Sequence, residues 1–246
     1  MSGPRQVLGC FLLLLAAVST RAAEPLDIVI YGATGEVGSH VVQEALDRGH
    51  HVFAVSRHPE TIDTTRPNLT AVEGDLLDEA SIAEIVAGKD IVILSVRGVI
   101  GDSGTAKSAL QFIAAENLVD VLFRMGHDAP RLIHVGGSGS LEVGPDKVFA
   151  ETLPKIILPK GLEIEILGQI LALEFYRKVD DVNWTYVTPP KHLTNGPRTG
   201  EFRIGGDRAL EDEHGRTRLS RADFAVALID EAEQAKHPQQ RISVAY

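Results

Sequence analysis

The stretch Leu26-Asp-Ile-Val-Ile-Tyr-Gly-Ala-Thr-Gly-Glu-Val-Gly-Ser39 decides the reading of this 246-residue chain. Leu26 to Tyr31 has the length and apolar character of a buried strand. Glycines follow at Gly32, Gly35 and Gly38, and Val37, Val41, Val42, Ala45 and Leu46 then recur at helical spacing. A strand that passes through a glycine turn into a helix lets the backbone approach a pyrophosphate closely. The helix N-terminus adds free N–H groups and the positive end of its dipole. The G-x-x-G-x-x-G spacing is one residue wider than the common dinucleotide fingerprint, but the flanking strand and helix supply the context which that fingerprint requires.

Downstream, strand and helix patterns alternate. Gly49 sits as a helix-ending residue before the strand His51–Val55, and Leu69–Glu73, Asp90–Ser95 and Arg131–Val135 are further strands. Helices are expected at 79–86, 105–118 and 165–178, and a strand at Trp184–Thr188, stopped by Pro189-Pro190 because proline cannot donate to a ladder. Crossovers of this length between strands imply an α/β fold with a doubly wound parallel sheet of the Rossmann type. Thr199 to Arg218 suggests a small hairpin with a charged loop, in a C-terminal lobe on the substrate side. Ser220-Arg-Ala-Asp223 reads as a capping box opening a last helix, and Ile242–Ala245 as a final edge strand.

The strand ends carry the candidate ligand contacts. Ser56 and Arg57 end the second strand, where an NAD-binding chain places an acid for the ribose 2′-hydroxyl and an NADP-binding chain a cation for the 2′-phosphate. They favour NADP(H) and leave NAD(H) open. Asp75, after the third strand, suits either an adenine contact or a helix cap. Ser95 and Val96 open a glycine-rich exit loop, 96–104, expected to lie along the cofactor, and a proline-interrupted region after Leu141 is expected to cover it.

The first residues read differently. Arg5 precedes the apolar run Val7–Val18, and small and polar residues follow to Ala22-Ala23, the three-part pattern of a secretory signal cleaved near those alanines. The run is shorter than the roughly 20 residues that span a bilayer. Residues 1–23 are thus expected to leave a single domain, 24–246, without a membrane span, secreted or periplasmic. The rival is a start site placed too far upstream on a cytoplasmic protein. Cleavage would remove Cys10, the only cysteine, and with it disulfides and thiol catalysis. The net charge of −10 argues against a nucleic-acid partner, which needs a clustered positive surface.

Three chemistries compete at Gly136-Gly137-Ser138-Gly139-Ser140. A hydrolase nucleophile elbow needs glycines on both sides of its serine, and Ser140 stands where the second would be. Dehydrogenation by a tyrosine with a lysine one helical turn on fails as well, since none of the four tyrosines has lysine four residues later. Hydride transfer to a flavin-like or quinone-like ring needs little proton help, and there Ser138 would hydrogen-bond the acceptor or the nicotinamide ribose, or merely satisfy its own turn. No histidine spacing suggests a metal site, and Glu211-Asp-Glu-His214 reads as a solvated loop.

Gly32-Ala-Thr-Gly-Glu-Val-Gly38, Ser56-Arg57, Gly74-Asp75, Val135 to Val143, Trp184 to Pro190, Arg198-Thr-Gly200 with Gly205-Gly-Asp207, and Ser220 to Ala225 together resemble the atypical short-chain dehydrogenases known as NADH-flavin reductases, with biliverdin reductase B and the NmrA-like regulators as more distant kin. The resemblance implies Gly32, Thr34, Gly35, Glu36 and Val37 around the pyrophosphate, Arg57 near the adenosine phosphate, and Ser138 with Pro189 and Pro190 by the nicotinamide. It implies an NAD(P)H-dependent reductase with a small-molecule acceptor, or a non-catalytic dinucleotide sensor, since the family holds both.

Overall fold

The computed structural model describes residues 24–101, 104–154 and 158–246. The signal-like segment lies outside the described residues, as do Asp102 and Ser103 of the exit loop and residues 155–157 of the proline-interrupted region. In chain order the elements begin with β1 (Asp27–Tyr31), α1 (Gly38–Asp47), β2 (His51–Ser56), β3 (Leu69–Glu73), α2 (Glu79–Val86) and β4 (Ile91–Leu94). They continue with α3 (Leu110–Met125), β5 (Arg131–Val135), β6 (Glu142–Gly144), β7 (Lys147–Val148), α4 (Lys160–Tyr176) and β8 (Trp184–Thr188). The last are β9 (His192–Thr194), β10 (Arg203–Gly205), β11 (Arg218–Ser220), α5 (Arg221–Gln234) and β12 (Gln240–Ala245).

The main sheet runs β10-β12-β8-β5-β4-β1-β2-β3, with every neighbouring pair parallel except β10 and β12. Strand order reverses between β1 and β4, so the crevice for a ligand opens beyond the carboxyl ends of those two strands. Successive residues of a strand face opposite sides. Ile28 and Ile30 therefore pack under α1 and α5, and Val29 and Tyr31 under α2, α3 and α4. Both faces are covered, which is why β4 and β8 are buried along their whole length. Each fully buried Ile or Val is worth about 1.5–3 kcal/mol of burial, enough to set the register against one-residue slips.

Several elements depart from the sequence expectation. α3 runs on to Met125, and the turn before it, Ala106–Ser108, is a 3-10 turn. α4 starts at Lys160, directly after Pro159, which takes the N-cap position. Thr199 to Arg218 is no hairpin: β10 joins the main sheet outside β12, and β11 pairs in parallel with β9. β12 is consequently not the edge strand. Only half of the expected capping box forms. Ser220 Oγ accepts from Asp223 N–H at 2.9 Å, but the Asp223 carboxylate turns away to the 199–200 loop and to Tyr246. The cap of α2 is Asp78, which accepts from Ala80 N–H at 2.9 Å, and Asp75 instead closes a turn on Leu77 N–H at the same distance.

Candidate functional site

Gly32 follows β1 with φ +79°, and a Cβ there would lie 2.1 Å from Ser95 O. Only glycine accepts that backbone so close to the end of β4. Among the described residues, the backbone N–H groups of Thr34, Glu36 and Val37 donate to no protein carbonyl, and α1 begins at the next residue without a side-chain cap. Three free donors at a helix N-terminus make an anion cradle, so the residues present fit the pyrophosphate of a dinucleotide.

On one side of the turn lies a cleft of about 450 Å³, on the other a chamber of about 640 Å³. Gly35, Ser95, Val96 and Arg97 line both, so the two halves adjoin at the turn and the end of β4. The cleft takes Gly32, Thr34, Ser56, Arg57 and Asp75, and the chamber takes Glu36, Val37, Gly136, Gly137, Ser138 and the Pro189-Pro190 pair. Of the residues expected at the site, Gly38 alone lines neither half. A Cβ on Gly38 would stand 2.1 Å from Gly32 O, so its place is in packing α1 against the turn.

The cleft is bounded by Val55, Leu76, Leu77 and Ile100, with Tyr31 buried at its floor. The Tyr31 hydroxyl has no hydrogen-bond partner, and burial pushes its pKa up, so it stays a phenol. Arg57 is exposed and, among the described residues, has no acidic partner. Ser56 Oγ accepts from His58 N–H at 3.0 Å, which shapes the loop that presents Arg57.

The chamber's apolar wall is Leu162, Ile166, Leu193 and the two prolines. α4 also turns Glu165 and Gln169, four residues apart, to the same side. Arg97 Nε and Nη2 reach Glu165 Oε2 at 3.0 and 2.8 Å. Gln169 Nε2 donates to Val135 O at 3.3 Å and packs on Gly137. Behind it, His134 stacks on Tyr186 with ring centroids 4.9 Å apart and meets the Tyr176 hydroxyl at 3.1 Å. Burial lowers the His134 pKa to about 3 and raises those of Tyr176 and Tyr186.

Sequence reading did not single out Tyr31, Arg97, Glu165, Gln169, Lys191 or Arg221. Arg97 had a signal, being next to Val96 at a strand exit. Glu165 and Gln169 share a four-residue spacing on α4, a pattern that by itself marks only one face of a helix. Tyr31 had none, because a strand tyrosine reads as core.

The model of a family described as NAD(P)H-binding matches residues 32–235. This chain belongs to that family. It is 29% identical over 224 residues to the uncharacterized protein YwnB of Bacillus subtilis, which spans 89% of this chain and 98% of that protein. A structure from Burkholderia pseudomallei, provisionally named an exported protein, is 35% identical with TM-score 0.74, covering 90% of this chain and 100% of that one. One from Bacteroides thetaiotaomicron, provisionally named an epimerase, is 32% identical with TM-score 0.78, covering 91% and 98%. The chain is thus an NAD(P)H-binding Rossmann protein of the atypical short-chain dehydrogenase kind. No helix among the described residues is long and apolar enough to cross a membrane.

Proposed function

We propose that this protein is an NADP(H)-preferring reductase that passes hydride to a flat, conjugated acceptor of the flavin or quinone type. The observation that carries the reading is where the tyrosines lie. Tyr176 and Tyr186 are buried with their hydroxyls bound inside the core, Tyr246 donates to Asp223, and Tyr31 floors the adenosine half. No phenol therefore reaches the chamber in which the nicotinamide would meet its acceptor. An epimerase or alcohol dehydrogenase must move a hydroxyl proton at the reacting carbon, and the chamber offers no tyrosine and lysine pair for it. A ring that accepts hydride into a conjugated system does not make that demand.

When bound, the dinucleotide supplies the hydride. The chain's own part is to orient and to dry. The N–H groups of 34–37 hold the phosphates, Arg57 holds the adenosine phosphate, and Pro189 and Pro190 with Ile166 and Leu162 exclude water around the reacting rings. Ser138, which lines the chamber, hydrogen-bonds the nicotinamide ribose or the acceptor. Export of the mature chain, residues 24–246, is part of this proposal; the three-part N-terminal pattern and the name of the Burkholderia relative support it.

Stopped-flow mixing of the NADPH-loaded protein with riboflavin, FMN and a soluble quinone tests the reaction. Oxidation of bound NADPH within the mixing series is expected. Tight NADPH binding with no turnover against any of the three would replace the reductase by a dinucleotide sensor.

A further inference from the structure

Arg221 is the first residue of α5, far along the chain from the glycine turn, yet its guanidinium closes on that turn. Nη2 donates to Glu36 Oε2 at 2.9 Å and Nη1 to Asn195 Oδ1 at 2.7 Å, and Nε is buried with no partner. Arg221 lines the chamber beside Gly35, Glu36 and Val37. A guanidinium has five N–H donors in a fixed fork, and three of these are unused here. The Glu36 side chain that holds it is 77% exposed. An ion pair with so exposed a partner is weak, because water screens it and the long side chains lose freedom to form it.

In the proposed site the pyrophosphate settles on the N–H groups of Glu36 and Val37, on the wall of the chamber that Arg221 also lines. It brings two negative charges next to the Glu36 carboxylate, which opposes them. Arginine matches paired phosphate oxygens better than a single exposed carboxylate. We propose that Arg221 is a pyrophosphate ligand held in waiting by Glu36. On dinucleotide binding it exchanges the Glu36 carboxylate for phosphate oxygens, with Asn195 keeping the guanidinium aimed. Because Arg221 begins α5 and Asn195 follows β9, the exchange also ties the loop after β9 to the bound cofactor. The inference rests on the reading of the cleft and chamber as one dinucleotide site.

The pair predicts effects of opposite sign from its two members. Titration of the full mature chain with NADPH and with 2′-phospho-ADP-ribose, which lacks the nicotinamide, reads them. Arg221→Gln should weaken both ligands about ten-fold or more. Arg221→Lys, which keeps the charge and loses the fork, should fall between it and wild type. Glu36→Gln should bind both at least as tightly as wild type, since it removes a competitor and a repulsive charge. Thermal melting of each ligand-free variant checks folding, and Glu36→Gln, on an exposed turn, carries the test if Arg221→Gln does not fold. Equal weakening by Arg221→Gln and Glu36→Gln would make the pair a structural strut and overturn the proposal. So would an Arg221→Gln protein that binds both ligands like wild type and loses only acceptor KM, which would assign Arg221 to the acceptor. A wild-type chain that binds neither ligand would overturn the reading of the site itself, a failure visible before any variant is made.

Discussion

The Tyr186 hydroxyl lies 2.6 Å from Gln169 Oε1 and 2.8 Å from the Gln169 backbone oxygen, so a core phenol holds a residue that lines the chamber. Burial raises the Tyr186 pKa, which keeps the hydroxyl a donor. Tyr186→Phe leaves the ring under Gly136 and removes only that bond. The expected cost is about 1–2 kcal/mol, the penalty for a buried acceptor that loses its donor. In a chain of this size that corresponds to a fall in Tm of roughly 2–8 °C. If Gln169 shapes the chamber, KM for the acceptor rises while the NADPH Kd holds. Unchanged Tm and KM would show that the contact carries no weight.

Gly136 stands against the same ring. A Cβ there would lie 2.1 Å from Tyr186 Cε1, a distance no real contact shows. Gly136→Ala should therefore destabilise by about 1–3 kcal/mol, as overpacking does, and in the double variant Gly136→Ala with Tyr186→Ala the combined loss should be less than the sum of the two separate losses, because the alanine no longer meets the ring. Denaturant midpoints of the single and double variants measure the coupling. Strict additivity would place the strain elsewhere.

His134 makes stability depend on pH. Its folded pKa is about 3 and its ordinary value 6.5, because burial disfavours the charged ring. Above pH 6.5 the ring is neutral in both states and the term is flat. As pH falls below 6.5, the unfolded chain takes up a proton that the folded chain refuses, so stability is lost by up to about 1.4 kcal/mol per pH unit. Over pH 6.5 to 5, before carboxylates enter, His134→Phe should flatten the decline in unfolding free energy measured by urea titration. An equal slope in both proteins would sink the assignment.

The fold was legible because its signals are local. β1, β5 and β8 are short runs of apolar or β-branched residues bounded by glycine, proline or polar turns, and their two covered faces leave no other reading, while β3 shows the same run at the sheet edge. The segment 199–218 misled, because a charged stretch between two short apolar runs looks like a hairpin when nothing in it reveals that β12, distant in sequence, offers β10 an open edge. The glycine turn of the candidate site was legible, since positive φ at Gly32 and the packing at Gly38 leave a mark in sequence. Arg221 was not. It stands in a motif that reads as a helix cap, and only the fold brings α5 to the turn after β1. Asp223 shows the other side of that ambiguity: a residue read as cap has become the anchor of a distant loop.

That anchor makes its own prediction. Asp223 is fully buried and accepts from Thr199 N–H, Gly200 N–H and Thr199 Oγ1, each at 2.7 Å, and from Tyr246 Oη at 2.6 Å. Burial raises its pKa, but these donors together hold it below the usual 3.8. The stabilisation is therefore present at neutral pH and is lost as pH falls through and below 3.8. Asp223→Ala strands four donors and should cost at least about 3 kcal/mol at pH 7. It should also open the 199–200 loop to limited proteolysis, and Tyr246→Phe, which removes one donor only, should do neither to the same degree. Cleavage at the same rate in wild type and Asp223→Ala would show that the loop is held by something else.

Arg57 bears on the choice of cofactor, and its setting makes the test clean. It is exposed, has no acidic partner among the described residues, and follows Ser56, whose Oγ is engaged by His58 N–H. Replacing it removes little but a charge, so the folded chain should be unaffected. In the proposed site NADPH would present a doubly charged 2′-phosphate at this strand end and NADH a hydroxyl, so the guanidinium would contribute to one ligand and not the other. A charge-assisted contact at the surface is worth about 1.4 kcal/mol or somewhat more, a ten-fold change in Kd. Arg57→Ala should therefore weaken NADPH about ten-fold and leave NADH where it was. Arg57→Ala combined with Ser56→Asp should go further and favour NADH, since the new carboxylate repels the phosphate and accepts from the ribose hydroxyl. Fluorescence titration of both dinucleotides against the three proteins reads this directly. Equal loss for NADPH and NADH would mean that Arg57 supports the loop and not the phosphate, and an unchanged NADPH Kd would remove it from the site.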